Sequence, residues 1–254
     1  MKSKELDQYY TNPIIAEYYY DIFKKYLNGN EILIEPSAGS GSFSKLLPDN
    51  AIKLDIDPKS ADIQKMDYFE FKPDDKDYGV IGNPPFGKNA SLAIKFFNHS
   101  KYANIIGFIL PRSFRKPSVF NRLDKNFRLV FEEILPENSF IFNNKKYDVP
   151  CVFQIWRKSD KPRKIIDTKI TFDGLEFTDF DNCDYQIRRV GWLAGKVLEK
   201  DKKYSKNSNY FIKSSDEIKD VICKNYEVLS EMAKDVSGNP SLSKYDLVKF
   251  LTEI

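Results

Sequence analysis

The chain has 254 residues, 41% of them apolar and 15% aromatic, with a formal net charge of +3, which suits one ordinary α/β domain with a smaller appendage and marks no whole-surface polyanion binder. No apolar run approaches membrane-spanning length and the start, Met1-Lys2-Ser3-Lys4-Glu5-Leu6-Asp7, holds no apolar signal segment, so a cytoplasmic protein is expected. One histidine, His99, and three widely spaced cysteines, Cys151, Cys183 and Cys223, offer no zinc spacing, no disulfide framework and no partner set for a Ser-His-Asp or Cys-His site, and no bound metal is expected.

A polar, aromatic segment, Asp7-Gln8-Tyr9-Tyr10-Thr11, leads to Asn12-Pro13, an N-cap with a first-turn proline, and to a helix whose apolar residues recur at helical spacing over Ile14 to Phe23. Glu31 to Glu35 reads as the first strand. Pro36-Ser37-Ala38-Gly39-Ser40-Gly41 follows as a glycine turn, and Ser42 to Leu47 as a helical segment. Strand, glycine turn and helix bring backbone close to a ligand. The dinucleotide fingerprint needs a third glycine three residues after Gly41, where Ser44 stands, and no Gly-Lys-Ser/Thr phosphate cradle occurs.

Ala51 to Pro58 alternates as a second strand ending in Asp55 and Asp57. An acid about twenty residues past the first strand is placed either for a ribose diol or as a turn cap. Met66-Asp67-Tyr68-Phe69 sets an acid before aromatic rings, which serves an adenine wall or a surface turn. Tyr78 to Ile81 is a fourth, buried strand, and Ser91 to Ser100 a helix carrying His99 outside any catalytic set. Asn104 to Leu110 is a continuous apolar run suited to a central strand. Leu129 to Leu135 and Val149 to Trp156 read as a closing antiparallel pair around a polar loop, Asn143-Asn144-Lys145-Lys146. Beyond Arg157 the composition turns charged and proline-containing, which places a domain boundary at about residue 160. The remainder holds short strands, a basic stretch interleaved with Tyr204 and Tyr210, and a last helix after Gly238-Asn239-Pro240.

Asn83-Pro84-Pro85-Phe86, at the tip of the fourth strand, is the stretch with the most chemical content. Proline lacks an N–H and forces the residue before it into extended geometry, so Asn83 and Pro84 are stiff and can aim two acceptor oxygens outward. Two acceptors facing both protons of one exocyclic amine favour a pyramidal nitrogen with its lone pair free. An aromatic ring after them can stack on the base carrying that amine. The same residues also make a plain stiff turn.

Taken in order, Tyr-Thr-x-Pro at residues 10–13, Glu-Pro-Ser-Ala-Gly-Ser-Gly-Ser-Phe at 35–43, Asp-Ile-Asp-Pro at 55–58, Asp-Tyr-Phe at 67–69 and Asn-Pro-Pro-Phe at 83–86 resemble the S-adenosylmethionine-dependent DNA adenine-N6 methyltransferases, in the gamma-like motif order, over about residues 7 to 157. The resemblance implies a Rossmann-like class I methyltransferase sheet, mostly parallel, of seven strands with an antiparallel closing hairpin. It implies a catalytic domain over 1–160 and a small C-terminal α+β extension over 161–254 that serves target recognition. Tyr10 and Thr11 would meet the cofactor's methionine part, Glu35, Pro36, Ser37, Gly39 and Gly41 would form the loop beneath it, Asp55 with Ile56 would take the ribose side, and Asp67 with Tyr68 the adenine. Asn83, Pro84 and Pro85 would hold the target amine, with Phe86 stacked on the extruded base. DNA would be the partner, contacted by Lys88, Arg112, Arg188, Arg189, Lys202 and Lys203. RNA methylation and a non-catalytic DNA-binding subunit are the alternatives. Relatives that methylate a protein glutamine carry a helical domain ahead of the cofactor motifs, for which the residues before the first strand are too few.

Overall fold

The computed structural model describes residues 10–142, 145–236 and 238–254, so Asp7, Gln8, Tyr9, Asn143 and Asn144 of the expected loops lie outside the described residues. The chain divides into two compact units, one of residues 1–114 and 118–165, the other of residues 115–117 and 166–254.

The first unit is built on seven strands: β1 (Ile32–Glu35), β2 (Ile52–Asp55), β3 (Gln64–Lys65), β4 (Tyr78–Gly82), β5 (Ile105–Pro111), β6 (Phe127–Ile134) and β7 (Cys151–Lys158). They lie in the order β3-β2-β1-β4-β5-β7-β6, parallel from β3 to β5, with β7 antiparallel to both β5 and β6. This is the mostly parallel, seven-stranded sheet with an antiparallel close that the resemblance implies. The third strand falls earlier than the aromatic segment, at Gln64–Lys65.

β5 shows why the sheet holds. All its residues are buried, and they alternate between two cores: Ile106, Phe108 and Leu110 face one, Ile105 and Ile109 the other. Strands buried on both faces read as continuous apolar runs because period-2 alternation has no wet side to supply. Helix α1 (Pro13–Lys24) contributes Ala16, Tyr19, Tyr20 and Phe23 to the second core, and α2 (Ser91–His99) contributes Ala93, Ile94, Phe96 and Phe97 to the first. α1 starts where the sequence places it, with the Asn12 side chain accepting from Ile14 N at 3.1 Å and Pro13 in the first turn.

Two elements differ from expectation. Residues 42–47 form successive turns rather than a helix, with Leu46 N on Phe43 O at 2.8 Å. Their serines bond elsewhere: Ser42 Oγ donates to Thr11 O at 2.6 Å and Ser44 Oγ to the Glu35 carboxyl. Serine hydroxyls that find partners outside the turn weaken a short helix. The supposed loop between β6 and β7 carries two strands, Phe140–Phe142 and Lys145–Tyr147, and the first of them pairs with Tyr10–Thr11 in a separate antiparallel sheet.

The second unit has strands β8 (Leu175–Phe177), β9 (Tyr185–Arg188), β10 (Val197–Leu198) and β11 (Asn209–Ser214) in the antiparallel order β8-β11-β9-β10. Helices α3 (Asp216–Lys224), α4 (Tyr226–Ala233) and α5 (Lys244–Glu253) complete it, and Tyr185, Ile187, Ile212, Leu229 and Leu247 share one core. It is the α+β extension foreseen. Lys116, from the short segment that belongs to this unit, donates to Asp246 Oδ2 at 2.7 Å and Met232 O at 2.9 Å. No helix of the described residues is long and apolar enough to cross a membrane.

Gly107 in β5 is required by close approach, since a Cβ there would lie 2.5 Å from Cδ2 of the fully buried Phe23. Gly107→Ala is expected to cost roughly 1–3 kcal/mol of overpacking, read as a lower urea midpoint. An unchanged midpoint would show that α1 yields without cost.

Candidate functional site

The sheet order reverses between β1 and β4, so the loops leaving their carboxyl ends depart to opposite sides and leave a crevice, the place where open α/β sheets bind ligands. A cavity of about 380 Å³ occupies the carboxyl ends of these strands. It brings together Tyr10, Thr11, Glu35, Pro36, Ser37 and Gly39, then Asp55, Ile56, Asp67 and Tyr68, and Asn83, Pro84, Pro85 and Phe86. Gly41 stands behind the lining. Its φ of +81° with no atom closer than 3.7 Å to an added Cβ means that backbone conformation, not space, calls for glycine there.

Each wall is locally braced. Thr11 is 5% exposed, paired with Phe140 across the small sheet and tied by its carbonyl to Ser42 Oγ, which carries Tyr10 to the cavity edge. A Cβ on Gly39 would lie 3.2 Å from the Tyr10 ring, so the turn and the amino-terminal strand pack edge to edge. Ser37 Oγ donates to the carbonyl of Asn83 at 3.1 Å, joining the glycine turn to the Asn-Pro-Pro-Phe loop. The carbonyl of Phe86 accepts from Leu92 N at 3.0 Å and Ala93 N at 3.2 Å, which docks that loop onto the start of α2.

Asp55 accepts from Gly39 N through Oδ2 and from Asp57 N through Oδ1, both at 2.7 Å. Each oxygen keeps a second lone pair, so a ligand hydroxyl can still donate to it. Gly39 N is thereby used, and Gly41 N is bonded to Ala38 O at 2.8 Å, so these turn amides are not the open N–H cradle that a pyrophosphate needs. Asp67 caps the 3-10 turn at Tyr68–Glu70 by accepting from Phe69 N at 3.0 Å. Tyr68 is 1% exposed and its hydroxyl bonds Ser100 and Tyr102, each at 2.8 Å, so it is its ring that reaches the cavity.

Leu92 and Phe96, to which the sequence assigned no role, also line the cavity, as do Asp57 and Phe69, which it offered as a diol or turn acid and as a ring of an adenine wall or surface turn. Phe69 follows Asp67-Tyr68 directly and is 38% exposed; its place in an acid-then-aromatic run was the available signal. Leu92 and Phe96 stand four apart on α2, one turn of helix, a spacing indistinguishable in sequence from ordinary core. His99 is half-buried, edge-on to Tyr68 at 4.8 Å and Phe69 at 5.3 Å, behind that wall.

Among the described residues Glu35, Asp55, Asp57 and Asp67 line the cavity and no lysine, arginine or histidine does. Asp57 lies below the usual carboxylate range, chiefly through its bond to Lys59. Glu35, 2% exposed, is pushed from 4.5 to about 8, first by burial, against the opposing bond from Ser44 and with the Asp55 charge adding to the rise. A cavity so lined favours a cationic or hydroxyl-rich ligand over a phosphate-bearing one.

No protein-family model matches the chain, and no curated protein matches it either. Among solved structures it is similar to a protein from Pyrococcus horikoshii provisionally described as an RNA methyltransferase, 19% identical over 61% of this chain and 89% of that one, with a TM-score of 0.47. It is similar also to the 23S rRNA methyltransferase ErmE, at 14%, 60% and 71% with a TM-score of 0.44, and to a dimethyladenosine transferase from Plasmodium falciparum, at 17%, 60% and 64% with 0.43. Likeness at this level leaves the function to be read from the chain's own residues.

The residues expected at nucleic acid fall in both units. Lys88 is exposed, just past Phe86, and Arg112 is only 8% exposed in the turn after β5. In the second unit Arg188 and Lys202 stand over the Tyr204 ring at 5.9 and 5.6 Å, Arg189 over Tyr210 at 5.1 Å, and Lys203 over Phe180 at 5.3 Å.

Glu35 sets a pH dependence. Between its ordinary value of 4.5 and about 8 the folded protein holds a proton that the unfolded chain has released, so stability falls as pH rises through that window. Glu35→Gln is expected to flatten the decline, by an amount on the order of a few kcal/mol at the alkaline end. Urea midpoints across the window test it; an equally steep decline in the variant refutes the assignment.

Proposed function

We propose that the chain is an S-adenosylmethionine-dependent methyltransferase acting on the N6 amine of adenine in DNA. The observation that carries this reading is one cavity with a carboxyl-lined half that holds no basic side chain among the described residues and, at its other side, Asn83-Pro84-Pro85-Phe86. The donor set fits the cofactor: Asp55 offers lone pairs to ribose hydroxyls, and Ile56, Asp67, Tyr68 and Phe69 form a wall for a purine. Thr11, Glu35 and the Ser37–Gly41 turn surround the place for a positively charged amino-acid end. Glu35 beside such a charge would give up its proton, since an adjacent cation favours the carboxylate. When bound, S-adenosylmethionine supplies a methyl group on a positively charged sulfur, already activated for displacement.

The protein's part is then positioning. Asn83 and Pro84 offer two acceptors to the amine's hydrogens, the ring of Phe86 stacks on the base, and Pro85 keeps the loop stiff. Ser37, bonded to the Asn83 carbonyl, holds those acceptors in register with the cofactor half. Orientation of this kind is worth roughly 7 to 11 kcal/mol of barrier. Lys88 and the basic residues of the second unit, Arg188, Arg189, Lys202 and Lys203, are assigned to nucleic-acid contact, and Arg112 to support of the loop after β5. The second unit, from about residue 161, is assigned to target recognition.

Asn83→Ala is expected to abolish methyl transfer while cofactor binding by calorimetry is retained within a few-fold. Labelled cofactor offered with DNA, RNA and protein identifies the acceptor. Label in RNA alone would replace DNA by RNA in this reading, label in protein alone would sink it, and full turnover by the variant would remove Asn83 from its role.

A further inference from the structure

The second unit carries a feature that the proposed reaction does not use. Trp192 is 80% exposed and Leu193 beside it 49% exposed, at the tip of a turn between β9 and β10. Among the described residues none stacks a ring or a guanidinium on Trp192, although arginines and lysines stand over other rings of the same unit.

The tip is held rather than loose. Gly191 N donates to Pro240 O at 2.8 Å, Ala194 N to Gly191 O at 2.9 Å, Gly195 N to Arg188 O at 2.8 Å and Lys196 N to Leu193 O at 3.0 Å. Val190 bridges Ser241, and Ala194, 1% exposed, is pinned in the core. A Cβ at Gly195 would come within 2.9 Å of Leu229 Cβ, so the turn is seated directly on α4. Rigid support lowers the ordering cost of a contact made by the tip.

Two cations stand at its base. Arg188 and Lys196 close the turn, and Arg188 shares the Tyr204 ring with Lys202, at 5.9 and 5.6 Å, while Lys200 and Lys203 of the loop after β10 stand over Phe180, ahead of β9. That loop is braced too: the fully buried Gln186 donates to the carbonyls of Glu199 and Lys202 at 3.1 and 2.7 Å and accepts from Tyr204 N at 3.2 Å. A lone exposed apolar side chain needs no explanation, but a braced indole with Arg188 and Lys196 at its base matches a surface that tracks a phosphate backbone and stacks on its bases.

We infer that the 191–195 turn is a stacking finger, in which Trp192 lies against an unpaired base of nucleic acid while Arg188 and Lys196 at its base meet the phosphates. From the reading above this takes only that the chain works on nucleic acid.

The chain contains its own probe, because its other tryptophan, Trp156, is fully buried in the first unit. Titration with a single-stranded oligonucleotide, and with a duplex carrying one unpaired adenine, is expected to quench the Trp192 fluorescence. Trp192→Ala should abolish the quench and weaken binding by roughly five- to a hundred-fold, while Trp192→Phe restores most of the affinity. A combined Lys196→Ala and Lys202→Ala variant should bind more weakly with a shallower salt dependence and still quench at saturation. Unquenched Trp192 at saturating oligonucleotide, or undiminished affinity in Trp192→Ala, overturns the inference. So does burial of Trp192 on self-association without nucleic acid. Quenching in a protein that transfers no methyl group would leave the finger standing and remove the reading of the pocket.

Discussion

Strand order at β1 and β4 is the constraint from which the site follows. Their loops are driven to opposite sides because the next strands in sequence, β2 and β5, lie on opposite flanks of the pair. That parting opens a crevice which the core on either face cannot fill, since helices cover the faces of a sheet and not its ends. Ser37 Oγ on the Asn83 carbonyl then ties the two departing loops at their roots, so that an acidic half and an acceptor-bearing half share one cavity. The functional proposal draws on this juxtaposition more than on any single motif.

Charge refines what the shape permits. A glycine turn after a first strand is compatible with a phosphate ligand until the partners of its N–H groups are known. Here Asp55 and the carbonyl of Ala38 occupy two of them, and carboxyl groups line the same cavity without a basic side chain among the described residues. Burial favours the protonated form of Glu35, which spares the fold a buried charge beside Asp55. The bond from Ser44 to the same carboxyl opposes that shift without cancelling it.

Local pattern and tertiary outcome part at identifiable residues. The turn at 42–47 has short-range features of a helix, but Ser42 and Ser44 give their hydroxyls to Thr11 and Glu35, partners far away in sequence. The strand pairing of Tyr10–Thr11 with Phe140–Phe142 is equally invisible locally, for the two segments are separated by nearly the whole sheet. Phe69, Leu92 and Phe96 belong to the cavity only because the turn after β3 and the helix after β4 converge there.

By itself the sequence determined the alternating and continuous apolar runs, hence a parallel sheet with helices between its strands, the cap and proline that start α1, and an ordered series of acid, glycine and Asn-Pro-Pro-Phe segments at strand ends. These are short-range properties, set by side-chain periodicity and by the backbone limits of proline and glycine. Only the tertiary structure decided that β7 enters between β5 and β6, that the small sheet brings Tyr10 and Thr11 to the cavity, that Glu35 is desolvated enough to keep its proton, and that Trp192 stands out on a braced turn. Those outcomes depend on which distant groups meet and how much water is excluded between them, and neither quantity is a function of local sequence.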